Sequence, residues 1–204
     1  RHFKSDINSH DFIILHSLFV SKHLTRVSGE LDFLVLAPGL GIFALEVKHG
    51  QVSRDGGIWK FENRYGKVNT STIGPFRQVS DTMHSLRSYL LKVAVNNSKL
   101  KEKISKLLFG WGVMFTSLEE FYDYGSEAEP WQLFTRPSFR APASHYIKEL
   151  SKGFHNKYSG KRWYEVNDSR PSQKDCQEIF KLLRGDFSYS YTTLNQILDE
   201  ENLI

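Results

Sequence analysis

Two apolar runs joined by a four-residue turn constrain this chain most. Residues 31–37 and 42–48 have strand length and carry large or β-branched side chains, and Pro38, Gly39 and Gly41 sit between them where a tight turn wants them. Apolar residues fall on both faces of each run, the pattern of central strands covered from both sides. The hairpin therefore needs a layer above and a layer below it. A third strand is expected over residues 12–20, and the Gly56-Gly57 and Tyr65-Gly66 pairs divide residues 51–69 into short hairpin segments.

After Pro75 the period changes. Phe76, Val79, Met83, Leu86, Leu90 and Val93 recur every three or four residues, and Pro75 suits a first helical turn. A second helical piece is expected over residues 100–108, a strand over 110–115, a polar loop over 119–129 and a short strand over 131–135. Helices are expected over 142–152 and 173–184. The order is mixed α/β. Residues 1–185 read as one domain, and residues 186–204 as an amphipathic segment that packs back on it or leads into another. The chain opens on Arg1 with no leader pattern, so it reads as a piece of something longer.

Composition narrows the class further. With 204 residues, 40% hydrophobic, 25% charged and 14% aromatic, the chain can bury a core, which excludes collagen-like, coiled-coil and wholly disordered classes. No apolar run reaches the roughly 18 residues of a membrane span, so no membrane partner is expected. Cys176 is the single cysteine, so neither an internal disulfide nor a cysteine zinc site is available, and a reducing, cytoplasmic setting is expected. The net charge of +4 is mild, but residues 1–110 hold 16 basic and 9 acidic residues while 111–204 hold 11 and 14. The first part is the one suited to a phosphate-rich partner.

Three charges interrupt the two core runs: Asp32 on the first, Glu46 and Lys48 on the second. Glu46 and Lys48 are two apart and share a strand face, and the hairpin brings Asp32 towards them. Ionised groups are costly to bury unless paired or metal-bound. One explanation is a hard-cation site, Mg²⁺ or Mn²⁺, with Asp32 and Glu46 as ligands, the Val47 carbonyl as a third, and Lys48 holding a water or stabilising charge on a phosphate. The other is a strand-end salt bridge from Lys48 to Asp32 or Glu46 with no chemistry. Spacing alone leaves both open.

An aspartate on one strand, a Pro-Gly turn and Glu-x-Lys on the next resembles the PD-(D/E)xK nuclease pattern. The segment GELDFLVLAPGLGIFALEVKHG (residues 29–50) is similar to the nuclease-related domain, NERD, a branch of that superfamily. Gly57-Ile58-Trp59, Pro75-Phe76-Arg77-Gln78 and a strand ending in Phe115 follow in the family's order, so the resemblance covers roughly residues 12–135 and weakens towards 184. It implies a restriction-endonuclease-like α/β core, a central mixed β-sheet flanked by helices. It also implies Asp32 and Glu46 as metal ligands, Lys48 as catalytic lysine and Gln78 as a helix residue facing the site, in a domain often joined to helicase-like or kinase-like modules. The implied activity is Mg²⁺- or Mn²⁺-dependent phosphodiester hydrolysis, of DNA foremost; nothing here reads a 2′-hydroxyl, so RNA stays open.

One departure stands out. Members of this superfamily often add an acid from a helix before the first core strand, and here only Asp6 and Asp11 precede it; Glu30, on the same strand face as Asp32, is either a substitute or a solvated partner of a nearby Lys or Arg. Lys60, Arg64, Lys67 and Arg77, interleaved with Trp59 and Tyr65, are candidate phosphate and base contacts, or else a solvated basic face. His49 adjoins Lys48. The lysines at 99, 101, 103 and 106 read as a wet helix face. No phosphate-binding loop, HExxH or GxSxG is present. The rival class is a non-catalytic nucleic-acid-binding or protein-docking module built on the same fold.

Overall fold

The computed structural model describes residues 5–19, 30–63, 65–122 and 126–184. Arg64 and the segment 186–204 lie outside the described residues, as does the side chain of Glu30.

Among the described residues, eight strands and four α-helices follow one another as β1 (Ile13–Phe19), β2 (Glu30–Ala37), β3 (Gly41–Lys48), β4 (Gln51–Asp55), β5 (Ile58–Glu62), β6 (Val68–Ser71), α1 (Pro75–Val93), α2 (Ser98–Lys106), β7 (Phe109–Phe115), β8 (Leu133–Phe134), α3 (Ala143–Tyr158) and α4 (Gln173–Arg184). The main sheet runs β1-β2-β3-β7-β8, with β4-β5-β6 a separate three-stranded sheet. β1, β2 and β3 pair antiparallel, whereas β7 and β8 run parallel to β3. The architecture is thus α/β with a mixed central sheet, consistent with a restriction-endonuclease-like core.

The β2–β3 hairpin closes as its sequence dictates. The Leu40 N–H donates to the Ala37 carbonyl at 3.1 Å, and Gly39 at φ 73° takes the left-handed position that follows a proline in a type II turn. Strand alternation then sorts the core into two layers. Leu34, Leu36, Ile42, Ala44, Phe109, Val113 and Phe115 meet Phe76, Val79 and Met83 of α1 on one face. Val35, Phe43, Leu45 and Met114 meet Tyr146, Ile147, Leu150 and Phe154 of α3 on the other. α4 joins the first layer against β1 and β2. Cys176 lies there fully buried, and burial, with Asp175 and Asp11 nearby, pushes its thiol up to about 12, so it serves packing and not reactivity.

Several boundaries shift from the sequence expectation. α2 starts at Ser98 because the Asn97 carboxamide caps the Leu100 N–H, and it stops at Lys106 because Leu107 turns extended to bury itself ahead of β7. The expected strand at 131–135 splits into a 3-10 turn, Pro130–Gln132, and a two-residue β8. α3 continues past residue 152 to Tyr158, and residues 51–69 form their own sheet. No helix among the described residues is long and apolar enough to cross a membrane.

α3 also carries a pH-sensitive contact. The Tyr164 hydroxyl meets His155 Nδ1, while His155 Nε2 is buried with no hydrogen-bond partner among the described residues. Burial foremost, then the positive charge of Arg170, lowers the His155 pKa below its usual value near 6.5. A folded-state pKa below the unfolded one gives a contribution that is complete above about pH 6.5 and is lost as pH falls towards the folded value. Urea unfolding between pH 7 and 5 is expected to show declining stability, with part of the slope removed by His155→Gln.

Candidate nuclease site

The alternation that sorts the core also decides where the three charges go. Asp32, Glu46 and Lys48 share parity with Leu34, Leu36, Ile42 and Ala44, so they stand on the α1 face of the sheet. Ile42 and Ala44 lie under α1, whereas Glu46, Val47 and Lys48 emerge half-buried at the end of β3. The β2–β3 register ends at the Phe33–Leu45 pair. One step further would set Asp32 opposite Glu46. There the ladder is replaced by a side-chain bond, the Val47 N–H donating to Asp32 Oδ2 at 2.7 Å. Two carboxylates on adjacent strands of one face repel unless a cation lies with them.

Among the described residues, Lys48 brings a cation to these carboxylates. Its Nζ lies 2.5 Å from Glu46 Oε1, with the two side chains 21% and 12% exposed, and 5.1 Å from the centre of the Phe61 ring of β5. Of the alternatives left open by the spacing, the salt bridge is made, and to Glu46 and not Asp32. That pairing does not close the metal reading. Asp32 Oδ1 has no hydrogen bond to a described residue, and the donor chemistry of two carboxylates beside the Val47 carbonyl suits a hard divalent ion. Among the described residues no group of three or more His, Cys, Asp or Glu side chains could hold a metal, so there Asp32 and Glu46 amount to a pair of carboxylates and no more.

Helix α1 arrives at this end of the sheet by aromatic packing. Phe76, in its first turn, meets Phe115 edge-on at 6.0 Å and Trp59 at 6.1 Å, and Phe115 is the register partner of Lys48. Gln78, two residues on, is half-buried there; its N–H donates to the Gly74 carbonyl and its own carbonyl accepts from Thr82 Oγ1. Its carboxamide makes no hydrogen bond to Asp32, Glu46 or Lys48. The sequence thus brings Gln78 to the right end of the sheet without a direct contact.

The basic candidates are dispersed. Lys60 stands between Trp59 and Phe61 on β5, whose rings stack on the inner side, and pairs with Asp55 at 3.3 Å. Strand alternation turns it away from Lys48. Arg77 is exposed and pairs with Asp81 at 3.7 Å, and Lys67 is exposed in the approach to β6. Of the early acids, Asp6 is committed elsewhere: its carboxylate accepts from the Asn8 and Ser144 N–H groups, at 2.9 and 2.7 Å, and so fastens the first described residues to the start of α3. Asp11 lies near Cys176.

Residues that the sequence did not single out stitch the site's rim. Thr116 and Ser117 follow β7; the Thr116 N–H donates to the Lys48 carbonyl, both hydroxyls lie 2.9 Å from His49 Nδ1, and the Gly50 N–H donates to Ser117 Oγ. Their only sequence signal was a Thr-Ser pair closing an apolar strand. Phe61 beneath Lys48 was equally silent.

Neither a curated protein nor a solved structure matches the chain. A family model does match residues 1–109, running from the start of the chain through β1 to α2 and ending on the first residue of β7. That span holds Asp32, Glu46, Val47, Lys48 and Gln78, starts earlier than the resemblance read from motifs and stops before β8, α3 and α4. Taken with the hairpin and its three charges, this match over more than half of its length makes the chain a member of the nuclease-related domain family.

Proposed function

We propose that the chain is a Mg²⁺- or Mn²⁺-dependent nuclease that hydrolyses phosphodiester bonds, in DNA foremost. The observation that carries this reading is the convergence of Asp32, Glu46 and Lys48 on one face at the end of β3, beside the first turn of α1, in a member of the nuclease-related family. When bound, the divalent ion polarises the phosphodiester and acidifies a coordinated water. Asp32 and Glu46 hold it, with the Val47 carbonyl beside them. Asp32 is oriented for this by the Val47 N–H on Oδ2, which leaves Oδ1 to the ligand. With Glu46 engaged by the ion, the Lys48 ammonium would be free to hold the attacking water or to stabilise charge developing on the phosphate. Gln78 borders the site from the helix side and orients water or phosphate. Arg77 and Lys67 guide the strand as exposed cations.

The test is labelled single- and double-stranded DNA with Mg²⁺, Mn²⁺ or EDTA. Cleavage that needs metal and exceeds that of Lys48→Ala supports the reading; none above that variant overturns it. A second reading, a non-catalytic nucleic-acid-binding module, is favoured by one observation, the Lys48–Glu46 ion pair that satisfies both charges without a metal. Calorimetry separates the two. Mn²⁺ binding is expected in the native chain and is expected to fall at least tenfold in Asp32→Ala and in Glu46→Ala; DNA binding indifferent to metal and to both substitutions would favour the module.

A further inference from the structure

A cavity of about 450 Å³ opens far from the charged hairpin, between α1, the start of β7 and the chain that follows α3. Phe109 on its floor is the register partner of Ile42, six steps along β3 from Lys48, or about 20 Å at the rise of a strand. Met83 and Phe109 make an apolar floor, and Tyr158, Trp163 and Tyr164 make an aromatic wall. The Trp163 ring lies 5.1 Å from Tyr158 and 5.7 Å from Tyr164, yet Trp163 is 65% exposed. An indole of that exposure on the rim of an aromatic pocket offers a stacking face.

The polar complement is cationic. Arg87 reaches in from α1 with one guanidinium nitrogen donating to the Ser105 carbonyl at 2.6 Å and its Cζ 5.9 Å from the centre of the Phe109 ring. That bond fixes the group and uses one of its five N–H donors, and no described carboxylate pairs with it. Among the described residues that line the cavity there is no carboxylate. An apolar floor, an aromatic wall and one fixed guanidinium with spare donors select a flat ring that carries an anionic group.

We propose that this cavity binds a nucleotide, its base against Trp163 and its phosphate on Arg87, supplied either as a free mononucleotide or as the phosphorylated end of a nucleic-acid strand. This goes beyond the proposed hydrolysis and does not depend on it, because none of the residues involved belongs to the Asp32, Glu46 and Lys48 set.

The test titrates the full chain in EDTA with dAMP, deoxyadenosine, inorganic phosphate and a 5′-phosphorylated single-stranded oligonucleotide, followed by ligand-observed NMR. dAMP is expected to bind at least tenfold more tightly than deoxyadenosine or phosphate, and Arg87→Gln and Trp163→Ala are each expected to weaken it tenfold or more. Trp163 is mostly exposed, so its alanine variant keeps the fold even where loss of the Arg87–Ser105 bond loosens α2; thermal unfolding checks both. Displacement of dAMP by the oligonucleotide identifies a strand end, and failure to displace it identifies the free nucleotide. Absence of dAMP binding at millimolar concentration, equal binding of deoxyadenosine, or binding indifferent to Trp163→Ala would overturn the proposal. EDTA suppresses cleavage, so a negative result here leaves the hydrolysis reading intact.

Discussion

Lys48→Ala is expected to lower metal-dependent cleavage of DNA by about 100- to 1000-fold, the range for removing one preorganised charge from a reacting centre. Metal binding should move the other way. On the proposed function, Lys48 and a divalent ion would compete for Glu46, since Nζ sits 2.5 Å from Glu46 Oε1. Without the ammonium, Asp32 and Glu46 share their face with one cation fewer, so Mn²⁺ should bind Lys48→Ala at least as tightly as the native chain. Gain of metal with loss of cleavage is a combination that a merely structural lysine does not produce. Lys48→Arg separates two chemical roles, because guanidinium keeps its proton at any working pH. Cleavage retained in that variant assigns Lys48 to charge stabilisation, and cleavage lost in a folded variant assigns it to water handling or to ammonium geometry. Quantified turnover of a labelled duplex, beside calorimetry on the same preparations, reads both quantities.

Phe154→Ala is expected to produce the largest loss of stability, about 3–5 kcal/mol. Phe154 is fully buried, 4.8 Å from both the Trp111 and Trp131 rings, and it lies against Gly110 of β7, where a Cβ would come within 2.5 Å of its ring. It thus joins α3 to the sheet through a gap that only glycine leaves. Truncation empties that gap, and the surrounding rings cannot collapse into it without moving a strand. A shift of this size corresponds to a thermal midpoint lower by roughly 10 °C in a domain of this length. Urea unfolding should show a lower midpoint with an unchanged slope. Because Phe154 packs on the face opposite Asp32, Glu46 and Lys48, the folded fraction should bind Mn²⁺ as the native chain does. A loss under 1 kcal/mol would mean that α3 contributes little to holding the sheet.

What the sequence discloses here follows from the range of each interaction. The hairpin was legible because its turn chemistry and its alternation are local, and α1 and α4 because their apolar stripes repeat at helical spacing. The face carrying Asp32, Glu46 and Lys48 follows from parity alone. The partner of Lys48 does not, since Asp32 and Glu46 both lie on its face; in the structure Asp32 takes the Val47 N–H and Lys48 pairs with Glu46. Phe61 under Lys48 and the Thr116–His49 contact depend on how a separate sheet and a distant strand end are docked, which no local pattern encodes. The end of α2 was missed for a similar reason. Leu107 continues the helical period in sequence, but burial ahead of β7 overrides its propensity.

The placement of the charges on a single hairpin also bears on the order of folding. β2 and β3 meet through a short turn, so their pairing closes a loop of few residues, whereas β7 joins β3 only after β4, β5, β6, α1 and α2 have intervened. Loop closure becomes more costly with length, and distant parallel pairing is slow. Asp32, Glu46 and Lys48 therefore lie on the element with the shortest closure in the main sheet, which is expected to pair before α1 covers it. The hairpin carries what it needs to pair before β7 is made: its turn, its backbone ladder and its apolar alternation together set its register.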